Sequence, residues 1–182
     1  MLDPRTEEID ADMRLMLLRH AKAEKAESGM ADRDRRLNAR GRNDAARIAA
    51  YLVQNALLPD RVMVSSAQRT RETWECIGPA LSTAPTVAYE SSLYESGTKP
   101  ILTAIKAADR SASALMVIGH NPGLYDTVRL LLADEIQVLD EGLPTAGLVV
   151  IEFAGNDWRK LAARSGRLKA FVTPRLLASE KD

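Results

Sequence analysis

The feature that most constrains the fold is the alternation of buried-strand signals with helical segments. Short apolar runs such as MRLMLL and SALMVIG are each followed by a stretch with apolar residues at helical spacing. The longest such stretch is LNARGRNDAARIAAYLVQNAL, for which Asn38 is a suitable N-cap. The alternation predicts a three-layer α/β/α sandwich with a mostly parallel central sheet. The last two apolar runs, AGLVVIEF and GRLKAFVTP, predict antiparallel closing strands at the sheet edge.

Length and composition indicate one domain with no bias toward a charged partner. The 182 residues predict a single domain over residues 13–182, preceded by a flexible acidic lead-in at 1–12. The 25 basic and 25 acidic residues balance, so we expect neither nucleic acid nor a membrane surface as a partner. No signal-peptide layout or membrane-spanning run is evident. The single cysteine, Cys76, predicts a reducing compartment, with the cytoplasm as the default.

Polar residues that can take part in binding or catalysis stand just after three of the predicted strands. Arg19 and His20 end the first strand, Arg69 follows the run DRVMVSS, and His120 ends the run SALMVIG. The chain has only two histidines, and each directly follows a buried strand. In open α/β sheets ligands gather beyond the carboxyl ends of the strands. If these strands are neighbours, both imidazoles and both arginines converge on one small volume.

Such a volume would suit a phosphoryl group. Arginine offers a fixed fork of donors matched to phosphate oxygens, and a neutral imidazole nitrogen can attack phosphorus. Taken singly, each residue has an ordinary explanation as a structural histidine, a solvated pair or a tight turn. Their joint placement at three strand ends favours a site. Two histidines with no local cluster of His, Cys or Asp argue against a metallohydrolase, so no metal and no cofactor are expected.

Four segments resemble the motifs of the histidine phosphatase superfamily, the group that includes the cofactor-dependent phosphoglycerate mutases. LLRHAKAE resembles its Arg-His-Gly signature, DRDRRLNARGRNDA its Asp-Arg-Pro-Leu-Thr-x-x-Gly segment, SSAQRTRETWE its second arginine motif, and VIGHNPGL its second histidine motif. LPTAG and LKAFVTP are similar to the ending of the short, SixA-type phosphohistidine phosphatases. The resemblance implies a phosphoglycerate mutase-like fold. Ala21, Arg36 and Asn38 depart from the family's usual glycine, proline and threonine.

Carried over residue by residue, the resemblance implies that His20 is the nucleophile that becomes phosphorylated. Arg19 and Arg69 would bind the phosphoryl oxygens, and His120 would complete the substrate-binding pocket. Larger members carry a glutamate general acid in an insertion for which this chain has little room. Glu95, slightly ahead of Glu90, is the nearest candidate, although a solvated loop carboxylate is the better interpretation of both.

The expected function is a phosphatase that acts through a phosphohistidine intermediate on phosphohistidine in proteins. Without a dedicated acid, a phosphoramidate is a better substrate than an alkyl ester, because its imidazole leaving group departs readily once protonated. The alternatives are a phosphomonoesterase for small phosphate esters and a non-catalytic module that only binds phosphate. The repeated Asp-Arg stretch from Asp32 to Arg35 is interpreted first as an exposed charged loop, and second as a partner-docking surface.

Overall fold

The computed structural model describes residues 13–134 and 142–179, which contain a six-stranded mixed sheet. The strands are β1 (Met13–Arg19), β2 (Arg61–Ser65), β3 (Thr86–Glu90), β4 (Ala114–Gly119), β5 (Leu148–Phe153) and β6 (Arg167–Val172). Their order across the sheet is β3-β2-β4-β1-β5-β6. Strands β1 to β4 run parallel, whereas β5 and β6 are antiparallel and close one edge. The predicted mostly parallel sheet with antiparallel closing strands is confirmed.

Helices cover both faces of this sheet, which confirms the three-layer prediction. They are α1 (Ala39–Gln54), α2 (Gln68–Ile77), α3 (Thr98–Lys106), α4 (Gly123–Leu131) and the short α5 (Pro174–Ser179). One apolar core contains residues of α1 and α2, and the other contains residues of α3 and α4. Asn38 caps α1 as predicted, since its side chain accepts a hydrogen bond from the Gly41 amide at 2.8 Å.

The first strand shows why the apolar runs are continuous rather than alternating with polar residues. Leu15 and Leu17 pack into one core, Met16 and Leu18 into the other, and all four are fully buried. A strand with helices on both faces has no solvent side, so every position favours an apolar residue. The run ends where the strand reaches the rim of the sheet.

The parallel register brings the ends of three strands together at that rim. Arg19 of β1 pairs with Gly119 of β4, and Val64 of β2 pairs with Ile118 of β4. His20, His120 and Ser65 therefore lie at the same edge of the sheet. The predicted adjacency of these strand ends is present, with β4 between β1 and β2.

Two further findings concern the rest of the chain. No helix within the described ranges is both long and apolar enough to cross a membrane. The predicted lead-in at 1–12 lies outside the described residues.

Gly123 lies where α4 begins, against the loop that carries Glu95. A Cβ at Gly123 would collide with the backbone carbonyl of Ser96. We expect Gly123→Ala to lower the free energy of unfolding by about 1–3 kcal/mol, because a backbone atom must shift to make room. Urea unfolding measures this. Gly97→Ala is the matched control, since its Cβ would meet nothing within 4 Å; equal losses in the two variants would contradict the steric argument.

Candidate active site

His20 directly follows β1 and presents one ring nitrogen to the cavity. Its Nδ1 lies 2.8 Å from the carbonyl oxygen of Ala21, an acceptor, so Nδ1 carries the proton. Its Nε2 lies 3.3 Å from Nε of Arg69, a donor, so Nε2 carries the lone pair. The backbone amide of His20 donates to Gly119 across the β1–β4 pair. The imidazole is therefore fixed with its basic nitrogen toward the site.

His120 follows β4 and is held by Ser65 at the end of β2. The Ser65 hydroxyl lies 2.7 Å from Nε2 of His120, and both residues are buried. The centroids of the two imidazole rings are 5.2 Å apart. Sequence reasoning missed Ser65, although it stands at a strand end in the same way as the two histidines.

Arg69, in the first turn of α2, is the central cation of the site. Its side chain is 4% exposed. Its Nη2 lies 3.4 Å from Nδ1 of His120, so one guanidinium contacts both imidazoles. Burial of a charge is costly unless the charge is paired, and here the partner is Asp32.

The Asp-Arg stretch is exposed at Arg33 and Asp34, as expected, but Asp32 takes part in the site. Its carboxylate accepts hydrogen bonds from Arg69 Nη2, Arg35 Nη1 and the Tyr94 hydroxyl, each at 2.9 Å. Its backbone carbonyl also accepts from Arg69 Nη1 at 2.7 Å. The stretch folds over the strand ends because Leu37 is fully buried and bridges to Ala23. Asp32 and Arg35 thus line the cavity.

Arg19 differs from Arg69 because it contacts the loop before β5. Its Nη1 donates to the Leu143 carbonyl at 2.9 Å, and the side chain of Asn121 donates to the same oxygen at 2.8 Å. The Nε of Arg19 is buried without a hydrogen-bond partner. Arg19 also lines the cavity, so its guanidinium adds positive charge there.

The two candidate acids lie in different places. Glu95 lines the cavity, with Oε1 3.8 Å from Nη2 of Arg69, but its side chain is 60% exposed. Glu90 lines a separate cavity beside Lys99. The structure therefore brings Glu95 and not Glu90 to the other predicted site residues.

The cavity formed by these residues is small and polar. It has a volume of about 250 Å³ and is also lined by Lys22 and Thr145. Within residues 13–134 and 142–179, no group of three His, Cys, Asp or Glu side chains is arranged to hold a metal ion. The donors and cations present suit an anion.

Burial and charge set the protonation states in the cavity. Burial, helped by the nearby cations, lowers the pKa of His20 from 6.5 to about 3. Burial and then the charge of Arg69 lower the pKa of His120 to about 4. The hydrogen bond from Arg35, reinforced by Tyr94 and Arg69, holds the pKa of Asp32 well below its usual range. Near neutral pH both imidazoles are neutral and Asp32 is ionised.

The lowered histidine pKa values predict how stability changes with pH. Below pH 6.5 the unfolded chain binds protons that the folded chain does not, so the free energy of unfolding should fall from pH 6.5 toward 4. In the folded protein both imidazoles should remain neutral at about pH 5.5. NMR titration resolves this simply, because the chain contains only 2 histidines. A midpoint near 6.5 for either imidazole would contradict the described burial.

The chain is similar in sequence and in fold to several known proteins. The model of the histidine phosphatase superfamily (branch 1) matches residues 15–97. An uncharacterised protein of Mycobacterium leprae is 32% identical over 166 residues, covering 87% of this chain and 100% of that protein. A crystal structure of a candidate phosphohistidine phosphatase, SixA from Agrobacterium tumefaciens, is 30% identical with a TM-score of 0.79, covering 89% of this chain and 98% of that one. A similar SixA candidate from Nakamurella multipartitia is 28% identical with a TM-score of 0.76, covering 89% and 96%.

Proposed function

The chain belongs to the histidine phosphatase superfamily and is similar to its SixA-type members, and from this premise we propose that it removes phosphate from phosphohistidine in proteins. The observation that carries the proposal is the orientation of His20. Its Nδ1 donates a hydrogen bond to a backbone carbonyl, and its basic Nε2 faces Arg69 in a cavity suited to an anion. A neutral imidazole fixed in this way is ready to act as a nucleophile.

In the first step, the Nε2 lone pair of His20 attacks phosphorus. The new N–P bond forms as the N–P bond of the substrate breaks, and the substrate imidazole leaves with a proton gained from solvent. The hydrogen bond from Nδ1–H of His20 to the Ala21 carbonyl is kept, and it stabilises the positive charge that develops on the ring. Water then attacks the phosphorylated His20, which releases inorganic phosphate and restores the lone pair.

Arg19, Arg69 and His120 would bind the three phosphoryl oxygens. The guanidinium groups keep their charge when partly buried, and they are already held in place before substrate arrives. Ser65 holds the His120 ring through Nε2, and Nδ1 faces Arg69 and the cavity, where it accepts from the guanidinium. A phosphoryl oxygen that takes the place of this contact would favour the tautomer with the proton on Nδ1, to which the Ser65 hydroxyl donates at Nε2. These donors stabilise charge that grows in the transition state.

The acid–base state of the cavity favours an N–P bond. Asp32 is held ionised by three donors and has no proton to give. An alkoxide leaving group needs such a proton, whereas an imidazole takes one from solvent beforehand. The proposed partner is therefore a phosphorylated protein, in the cytoplasm, where the free Cys76 would stay reduced.

One observation favours the alternative of a small-ester phosphatase. The Glu95 carboxylate lies 3.8 Å from Arg69, at the edge of the cavity, where it could protonate an alkyl leaving group. Its 60% exposure argues against a dedicated acid, because a side chain that is largely surrounded by water is not held in position against a leaving group.

His20→Ala should abolish turnover and leave the protein folded, because the variant has no nucleophile at the end of β1. Wild-type protein denatured during turnover should carry acid-labile phosphate on His20. His120→Ala is the matched control: it removes the other imidazole and keeps the nucleophile, so trapped phosphate should remain detectable while turnover slows. Radiolabelled substrate followed by peptide mapping measures this. Substantial turnover by the His20 variant would overturn the nucleophile assignment, and a wild type that never labels would favour a binding module.

Phosphohistidine should be cleaved with a kcat/KM on the order of 100-fold higher than alkyl phosphates, because only the alkoxide needs a proton donor. Aryl phosphates, with better leaving groups, should fall between the two. Glu95→Gln should barely change phosphohistidine hydrolysis, and Glu90→Gln, outside the cavity, serves as its control. A ratio near unity, or a large loss on alkyl esters confined to the Glu95 variant, would move the protein to the phosphomonoesterase alternative.

A further inference from the structure

A second cavity lies directly beside the catalytic one. Its volume is about 510 Å³, roughly twice that of the catalytic cavity. Thr145 lines both cavities, so the two adjoin at this residue. We name the larger one the Thr145 groove; its walls come from the loop before β5, from the end of β6 with α5, and from the start of α1.

Part of the lining of the Thr145 groove is apolar. Pro144, Phe171, Pro174 and Leu176 contribute this apolar surface. Leu176 is 44% exposed, which is among the highest values for a large apolar side chain in the described ranges. Covering a leucine that is this accessible in a concave site lowers the free energy, so it favours ligand binding.

The rim of the Thr145 groove carries positive charge. Arg40 is 79% exposed and pairs with the nearly buried Asp44 at 3.5 Å. Arg175 is exposed, and no carboxylate of residues 13–134 or 142–179 lies within ion-pair distance of it. Apolar surface beside an exposed arginine complements an apolar residue with an acidic neighbour.

We propose that the Thr145 groove binds the polypeptide segment that flanks the phosphohistidine of a protein substrate. The proposal rests on the proposed function. The catalytic cavity holds the phosphoryl group and the imidazole, and the chain on which that imidazole stands leaves at Thr145 and lies along the groove. An apolar side chain of the segment packs on Leu176 and Phe171, and an acidic side chain pairs with Arg175.

This arrangement separates recognition from chemistry. The phosphoryl pocket is built from strand ends and treats any phosphohistidine alike, whereas the groove distinguishes one polypeptide from another. A small phosphorylated metabolite would leave the groove empty. Changes to contacts in the groove should therefore alter KM for protein substrates and leave KM for free phosphohistidine unchanged.

The test compares three phosphorylated probes: free phosphohistidine, a phosphohistidine peptide with Leu and Glu on both flanks, and the same peptide with Ser and Lys instead. Wild-type protein should cleave the Leu/Glu peptide with a kcat/KM roughly tenfold above that of the other two, through KM. Leu176→Ser and Arg175→Glu should each remove most of this preference and leave free phosphohistidine unchanged. Val53→Ser is the matched control, since Val53 is 43% exposed on α1 outside the groove.

Each outcome decides one statement. Equal kcat/KM for the two peptides in the wild type, or losses in the groove variants no larger than in Val53→Ser, would overturn the groove proposal while the phosphohistidine activity stands. A preference for the Ser/Lys peptide would also overturn it, because the charge of Arg175 would then play no part. If the wild type cleaves alkyl phosphates and none of the three probes, the proposed function itself fails.

Discussion

The in-register parallel pairing of β1 with β4 is the constraint on which the site depends. Because Arg19 pairs with Gly119, the residues that follow, His20 and His120, leave the sheet side by side. The pairing of β2 with β4 adds Ser65 to the same rim. A shift of one residue in either pair would turn these side chains to the opposite face of the sheet. The two apolar cores that fix the register thus also fix the 5.2 Å separation of the imidazole rings.

Arg69 joins the strand ends into one electrostatic unit. It is nearly buried, so its charge must be balanced, and Asp32 provides the balance. Burial keeps both imidazoles neutral, and the charge of Arg69 adds to this effect. In the reaction that we propose, the phosphoryl group therefore meets a guanidinium that is already oriented and an imidazole that is already neutral. Little reorganisation remains for the reaction itself.

The catalytic cavity and the Thr145 groove differ in lining and in position in the fold. The catalytic cavity is small, polar and built from the ends of central strands, so its geometry is tied to the stability of the sheet. The Thr145 groove lies at the edge, between the start of α1 and the end of β6, and its apolar lining serves no purpose in phosphoryl transfer. Under the proposed function, selectivity for a protein substrate would be set in the groove, apart from the residues of the catalytic cavity.

The sequence by itself determined the layers, the strand ends and the four converging side chains. Continuous apolar runs such as MRLMLL are required of strands covered on both faces, and a run that ends in Arg19 and His20 marks the rim. The cap by Asn38 was equally local, since it reaches only to Gly41. The antiparallel closing strands followed from the same pattern of apolar runs.

Only the tertiary structure decided the partners of these residues. Asp32 contacts Arg69 across 37 positions and Tyr94 across 62, and nothing local marks it as different from Asp34 two residues on. The contact between Glu95 and Arg69, and the position of the Thr145 groove beside the catalytic cavity, likewise depend on how loops fold over the rim. Local patterns encode burial and backbone conformation, whereas contacts between distant loops arise from the packing of the whole chain.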